Sequence, residues 1–157
     1  MISSKISISR CSYNEGSPEP RGLWPSSSAK GSSGDRDLRY RKLGATGLLI
    51  SEIGMGCASY WGKAIFDERQ AIDLVHAAAA HGVNFFDTGS NYSGGNAEPR
   101  LGRALAQMGA KRHDLVAATK AGTRLNRLGG FYKDFSPAGI RQSVEQSLRH
   151  LGLDSLR

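Results

Sequence analysis

The stretch NFFDTGSNYSGG, residues 84–95, joins a short apolar segment to a polar loop. Asn84, Phe85 and Phe86 predict a short buried strand, and the apolar run stops abruptly at Asp87. Small and turn-forming residues follow at once, with a single phenol, Tyr92, among them. A carboxylate and a phenol placed directly after a buried strand indicate that a site begins where this strand ends.

Short strands alternate with amphipathic helices on both sides of this stretch. The segment YRKLGATGLLIS predicts an opening hairpin, and SEIGMGCAS, VNFF and DLVAATK predict the strands that follow it. Three helices are predicted. Asp67 caps the first and Ser136 the third, and the second begins near Asn96. Gly82, Gly109 and Gly152 mark their ends. Because the strands recur about every 30 residues with a helix between them, the pattern predicts βαβ units and a parallel sheet.

Two α/β architectures fit this order, a doubly wound open sheet and a (β/α) barrel. In both, functional residues lie at the carboxyl ends of the strands. Asp87 and Lys120 have that position on two successive strands. Since neighbouring strands lie about 4.8 Å apart, we expect these two side chains within ion-pair reach, with Tyr92 folding back over them.

The combination of these three side chains indicates a particular chemistry. A phenol with an ordinary pKa of about 10 is a poor proton donor at neutral pH. A nearby ammonium stabilises the phenolate and makes a phenol a better general acid. In this interpretation Lys120 assists Tyr92, and Asp87 keeps Lys120 in place and charged. Such a group suits protonation of a carbonyl oxygen as hydride reaches the carbonyl carbon.

Three stretches, KLGATGLLISEIGMGC, FFDTGSNYSGGNAEPRLGRAL and VAATKAG, together resemble the N-terminal portion of the aldo-keto reductase family. The family motif joins Asp-Thr to a later Tyr, a Glu and Leu-Gly-x-x-Leu, and it is matched by Asp87, Thr88, Tyr92, Glu98, Leu101, Gly102 and Leu105. The resemblance covers about residues 38–157. It implies an incomplete (β/α)₈ TIM barrel, made of the N-terminal hairpin and roughly the first three βα units.

The resemblance also implies a cofactor and roles for individual residues. The implied cofactor is NADP(H), bound without a Rossmann fold, and the implied catalytic residues are Asp87, Tyr92 and Lys120. Together with Asp87, the stretch Gly56, Cys57 and Ala58 matches the part of the family that lies near the nicotinamide, with Cys57 where Thr is commoner. The expected substrate is an aldehyde, a ketone or a sugar.

Two features of the sequence depart from the family pattern. The fourth catalytic residue of the family is a His at the end of the next strand, and the chain stops before it, as it does before most of the cofactor-binding loops. We therefore expect the isolated chain to be an inactive fragment. The alternative function is a non-catalytic, NADP-binding regulatory subunit of the same family, like the barrel-shaped subunits associated with channels. The choice between NADP and NAD, the reaction direction and the oligomeric state stay open.

Residues 1–37 differ from the rest in being rich in Ser, Gly and Pro without a sustained apolar period. We predict that this extension is disordered and that residues 38–157 form the folded domain. MISSKISISR faintly resembles an organelle transit peptide, and an extension translated from an upstream start is the alternative. We expect a cytoplasmic protein.

The composition excludes several other classes of protein. The net charge of +7 comes from scattered basic residues without interleaved aromatics, which argues against a nucleic-acid partner. No apolar run approaches the roughly 20 residues of a membrane-spanning helix. The two cysteines, Cys11 and Cys57, lie far apart, which argues against a disulfide framework or a metal site. GMGCAS partly resembles a dinucleotide-binding G-x-G-x-x-G, but Ser59 replaces the third glycine and no helix opens immediately.

Overall fold

The computed structural model describes residues 38–126 and 128–155, together with the backbone of Ile6–Arg10. The strands are β1 Ile6–Arg10, β2 Tyr40–Lys42, β3 Leu49–Ser51, β4 Met55–Gly56, β5 Phe85–Asp87, β6 Val116–Lys120, β7 Thr123–Leu125 and β8 Phe131–Lys133. The α-helices are α1 Ser59–Gly62, α2 Glu68–Ala80, α3 Ala97–Gln107 and α4 Pro137–Leu151. Two 3₁₀ segments, Tyr92–Gly95 and Gly109–Asp114, flank α3.

The central sheet has the order β1-β6-β5-β4, and its last three strands are parallel. Phe86 pairs with Met55 on one side and with Ala117 on the other. Helices lie between these strands in the chain, so the predicted βαβ units are confirmed. β4, β5 and β6 are adjacent in chain order, which is the order of consecutive strands in a barrel. This four-stranded sheet is open, and β2–β3 and β7–β8 form two separate two-stranded sheets.

Strand β1 was not expected, because the sequence predicts disorder throughout residues 1–37. That expectation is wrong for Ile6–Arg10, which pair antiparallel with β6 from Ile6 opposite Lys120 to Arg10 opposite Val116. Isoleucine and serine alternate in this segment with the period of a strand, and the edge of β6 offers unpaired backbone groups. The rest of the extension lies outside the described residues.

The predicted opening hairpin is confirmed as β2 and β3, and it docks at the amino-terminal end of the sheet. Asn84, just before β5, accepts a hydrogen bond from the Ser51 amide at 2.7 Å and donates one to the Leu49 carbonyl at 2.9 Å. The Tyr40 hydroxyl donates to the carbonyl of Gly82 at 2.6 Å. The hairpin therefore covers the end of β5 opposite to Asp87 and leaves the carboxyl end open.

The core lies between the sheet and α2, α3 and α4, and it contains Val75, Phe86, Leu101, Leu105, Ala117 and Leu151. Two helix starts follow the predicted capping pattern, since Asp67 accepts from the Gln70 amide and Ser136 from the Gly139 amide. Gly152 ends α4 in the left-handed conformation, with φ 65°. In the described residues no helix has the length and apolar character needed to cross a membrane.

Helices α3 and α4 touch at Gly102, where a Cβ atom would lie 2.0 Å from the carbonyl oxygen of His150. We predict that Gly102→Ala lowers the free energy of unfolding by about 2 kcal/mol or more, because the two backbones must separate. Urea-induced unfolding measures the change. Gly56→Ala is the matched control, since no atom lies within 4 Å of that Cβ position, and it should cost less than about 0.5 kcal/mol. Equal effects of the two substitutions would contradict this account of the helix contact.

Candidate active site at the ends of β5 and β6

Asp87 and Lys120 are the last residues of adjacent parallel strands, and the structure brings their side chains together. The Lys120 Nζ atom donates to Asp87 Oδ1 at 2.7 Å and to the carbonyl oxygen of Thr88 at 2.9 Å. The pair is partly buried, with 28% of the Lys120 side chain and 41% of the Asp87 side chain exposed. The result is a localised ion pair that is open to a ligand at the carboxyl edge of the sheet.

Tyr92 lies over the same pair, as the sequence predicts. It begins the 3₁₀ segment after β5, and its ring centroid is 4.7 Å from Lys120 Nζ. The ring rests on Gly89, where a Cβ atom would come within 3.1 Å of it. Because Gly89 has no side chain, the phenol of Tyr92 can fold back toward Lys120. All three predicted catalytic side chains converge at one place.

The surroundings of Lys120 raise its pKa above the ordinary value for lysine. Burial alone lowers the pKa of this ammonium, but the hydrogen bonds and charges of Asp87 and Tyr92 act in the opposite direction and outweigh it. Lys120 is therefore a cation throughout the neutral range. A fixed positive charge beside a phenol is what stabilisation of a developing phenolate needs.

The stretch Gly56, Cys57 and Ala58 lies beside Asp87 at the end of β4. The Cys57 amide donates to the carbonyl of Asp87 at 2.7 Å, and the Thr88 hydroxyl donates to the carbonyl of Cys57 at 3.0 Å. The Cys57 side chain is fully buried, and burial together with the charge of Asp87 raises the pKa of its thiol to about 12. Of the three residues, Gly56 is exposed and Ala58 half-buried, so they keep the accessibility that a cofactor contact needs.

Two further residues support the site, and neither was assigned a role there from the sequence. The Ser90 hydroxyl lies 3.0 Å from the carbonyl oxygen of Lys120 and 3.2 Å from that of Thr123, so it can donate to either. Glu98 is fully buried, accepts a hydrogen bond from the Thr119 hydroxyl at 2.5 Å and contacts His150 Nδ1 at 3.2 Å. Glu98 belongs to the matched motif, which was the available signal. No local pattern marks Ser90.

The four histidines of the sequence have other surroundings. His76 and His150 lie on α2 and α4, His81 caps the end of α2, and His113 lies in the 3₁₀ segment before β6. His76 contacts the carbonyl of Ala104 and His81 that of Ala77. Within the described part of the chain, no group of three or more His, Cys, Asp or Glu side chains could hold a metal ion.

Comparison with known proteins identifies the family of the chain. The model of the aldo/keto reductase family matches residues 52–156, and the chain belongs to that family. It is 37% identical over 118 residues to the uncharacterized oxidoreductase YqkF of Bacillus subtilis. It is 38% identical over 120 residues to L-galactose dehydrogenase of Arabidopsis thaliana. Each match covers 74% of this chain and about a third of the relative, 36% and 35%.

Two other matches bear on the fold and on the range of functions. The holo form of the aldo-keto reductase AKR11C1 from Bacillus halodurans matches with a TM-score of 0.65 and 34% identity, over 74% of this chain and 37% of that structure. This likeness supports a partial (β/α)₈-barrel-like α/β fold. A probable voltage-gated potassium channel subunit beta of Arabidopsis thaliana is 32% identical, over 74% of this chain and 35% of the relative. The chain thus spans about a third of the length of its relatives.

We predict that Asp87→Asn lowers the pKa of Lys120, because it removes the strongest interaction that favours the ammonium. A raised lysine pKa stabilises the fold at pH values below the unfolded value of about 10.4, and this stabilisation is lost as the pH rises through the folded value. The loss of stability above about pH 10 should therefore be shallower in Asp87→Asn.

The pKa is measured by NMR titration of the lysine side chains, with the Lys120 resonance assigned from Lys120→Met. Asp73→Asn on α2, whose carboxylate lies 4.0 Å from Arg69 on the surface, is the control and should leave the Lys120 titration unchanged. An unchanged Lys120 pKa in Asp87→Asn would contradict the assignment of Asp87 as the group that keeps the lysine charged.

Proposed function

We propose that the chain is the N-terminal part of an NADP-dependent aldo/keto reductase in which Tyr92 is the general acid. As hydride reaches the carbonyl carbon of an aldehyde, ketone or sugar, Tyr92 gives its proton to the carbonyl oxygen, and the product is an alcohol. In the reverse direction Tyr92 takes the proton back. The observation that carries this proposal is the position of the Lys120 ammonium, 4.7 Å from the Tyr92 ring centroid and 2.7 Å from Asp87.

Each of the three residues has a separate task in this mechanism. Lys120 stabilises the negative charge that develops on the Tyr92 oxygen as the proton leaves. Asp87 fixes the lysine and balances its charge, so that the ammonium faces the phenol in one orientation. The Thr88 carbonyl accepts a second lysine hydrogen bond and restricts the ammonium further.

The end of β4 suits a flat ring such as nicotinamide, which supplies the hydride when the cofactor is bound. Gly56 is exposed, and the space in front of it is open where a Cβ atom would lie. Gly56 would contact the ring through its backbone and Ala58 through its small side chain. Asp87 lies next to them, because it pairs with Gly56 in the register of β4 and β5. Cys57 contributes through its backbone position, because its thiol is buried in the core.

The β7–β8 hairpin supplies an apolar wall for the substrate. It begins three residues after Lys120, and its exposed aromatic side chains are Phe131, Tyr132 and, just beyond it, Phe135. Tyr60, on α1, is also exposed, whereas Trp61 is buried in the core and donates to the Ala71 carbonyl. We therefore assign the wall to the hairpin aromatics and Tyr60. The substrate is a small carbonyl compound and the protein acts in the cytoplasm.

The second candidate function is a regulatory subunit that binds NADP without turnover. The similarity to a channel subunit hints at this function but does not favour it over the enzyme. Residues Asp87, Tyr92 and Lys120 do not separate the two functions, since such subunits resemble enzymes at these positions. Consumption of NADPH with an aldehyde does separate them. Binding of NADPH without consumption would support the regulatory function.

We predict that Tyr92→Phe lowers kcat by about 10²- to 10⁴-fold with a much smaller change in KM, because it removes the proton donor and keeps the ring. NADPH consumption with aldehydes is measured for a longer product that contains this chain, because the 157-residue chain alone is expected to be inactive. Tyr40→Phe is the matched control, since its hydroxyl donates to the carbonyl of Gly82 at the end of the sheet opposite to the site. It should leave kcat unchanged. Full activity of Tyr92→Phe would end the mechanistic proposal.

A further inference from the structure

We propose that Ser93 and Asn96 are positioning residues, which together with Arg100 bind the α1 turn and thereby hold Tyr92 beside Lys120. Each of the three donates side-chain hydrogen bonds to backbone carbonyls of residues 59–63, and we call these bonds the α1 clasp. The assignment of a catalytic consequence rests on the proposed function of Tyr92. The contacts themselves can be tested without it.

The clasp consists of four hydrogen bonds from one side of the segment 93–100. Ser93 Oγ donates to the carbonyl of Ser59 at 2.7 Å. Asn96 Nδ2 donates to the carbonyl of Gly62 at 2.6 Å. Arg100 Nη1 donates to the carbonyls of Trp61 and, at 3.2 Å, Lys63. Carbonyls at the end of a short helix have no partner within the helix, and here side chains from another element supply it.

Backbone strain is concentrated at the same contact. Ser59 and Ser93 have φ values of 53° and 55°, and among the described residues they are the two with positive φ that are not glycine. A left-handed conformation costs free energy for a residue with a Cβ atom, and it persists where surrounding contacts stabilise it. The hydrogen bond between these two serines is such a contact, so each strained residue stabilises the other.

Close packing leaves little freedom at this junction. A Cβ atom on Gly62 would lie 2.3 Å from Ser93 Oγ and 3.2 Å from the Ala97 Cβ atom. Arg100 is only 2% exposed, lies 6.0 Å from the Trp61 ring and has a buried Nε atom without a hydrogen-bond partner. Its charge faces the carbonyl ends of the turn, where a cation is favourable. Arg100 is also part of the core, and for that reason the test uses Ser93 and Asn96.

The clasp acts on Tyr92 because the loop that carries the phenol is anchored on two opposite sides. On the β6 side, the Thr88 amide donates to the carbonyl of Ala118, and Ser90 contacts the carbonyl of Lys120. On the α1 side, the next residue after Tyr92 is Ser93. Loss of the α1 anchor should let Tyr92 move away from Lys120 while the sheet and the β6 anchor stay intact.

The test compares two pairs of identical substitutions in the full 157-residue chain. Ser93→Ala removes a clasp donor, and Ser136→Ala removes the hydroxyl that accepts from the Gly139 amide at the start of α4. Asn96→Asp replaces a donor by an acceptor of the same shape, facing a carbonyl. Asn126→Asp is its control, because it keeps the Oδ1 atom that accepts hydrogen bonds from the amides of Leu128 and Gly130.

Two readouts report the position of the Tyr92 loop. The first is the ring-current shift of the Lys120 side chain in NMR spectra, which arises from the ring 4.7 Å from Nζ and is calibrated by its loss in Tyr92→Leu. The second is hydrogen exchange of the amides in Tyr92–Gly95. We expect Ser93→Ala and Asn96→Asp to move the shift toward the Tyr92→Leu value and to speed exchange about tenfold. Ser136→Ala and Asn126→Asp should change neither.

An unchanged ring-current shift in either clasp variant would overturn the proposal. An equal change in Ser136→Ala would also overturn it, because it would indicate a general loss of stability. Neither readout requires turnover. If Tyr92→Phe keeps full activity while the clasp variants lose the shift, the proposed function fails and the clasp stands. In an active product, a fall in kcat at constant KM for Ser93→Ala supports the positioning role, whereas unchanged kcat and KM would overturn it.

Discussion

The parallel pairing of β5 with β6 is the interaction on which the rest of the structure depends. Phe85 pairs with Val116 and Asp87 with Ala118, so the two strands end at the same edge of the sheet. This register places a carboxylate and an ammonium from residues 33 positions apart within 2.7 Å. A shift of one residue would turn the Lys120 side chain to the other face of the sheet and separate the pair. Burial of Phe86 between its neighbours keeps the register fixed.

Successive side chains of β6 point to opposite faces of the sheet, so that Thr119 faces the core and Lys120 faces the site. Thr119 points toward the helices and donates to the buried carboxylate of Glu98, which also contacts His150 on α4. Lys120 points the other way, toward Asp87 and Tyr92. A buried carboxylate needs such partners, since an unpaired charge in the core is strongly unfavourable. The same strand thus connects the packing of α3 and α4 to the orientation of the site.

Much of the fold and of the site was predictable because the signals are local. Asp67 caps α2, Gly152 ends α4, and Asp87 is the last residue of its strand, so each could be assigned from neighbouring residues. The partners of Ser90 and Ser93 could not be predicted, because they lie about 30 positions away, in β6 and α1. Strand β1 was missed since the edge that it pairs with exists only in the folded sheet.

The buried face of α4 also depends on a neighbouring element, and the sequence of the helix predicts it only in part. Its apolar pattern predicts that Ile140, Val144, Leu148 and Leu151 are buried. Leu151 is buried, whereas the other three are half-buried, and the small residues Gly139, Ser143 and Ser147 are buried beside it. Small residues face α3 because the two helices approach closely at Gly102. The distance between two helices depends on both partners, and a single helix does not contain that information.

The antiparallel strand β1 has a consequence for how this sheet can grow. On the edge of β6 that faces away from β5, the backbone of Val116–Lys120 pairs with Ile6–Arg10. A further barrel strand beside β6 would run parallel to it and would need the same groups. The two arrangements exclude each other, so extension of the barrel past β6 and retention of the amino-terminal strand are alternative end states, and formation of one requires displacement of the other.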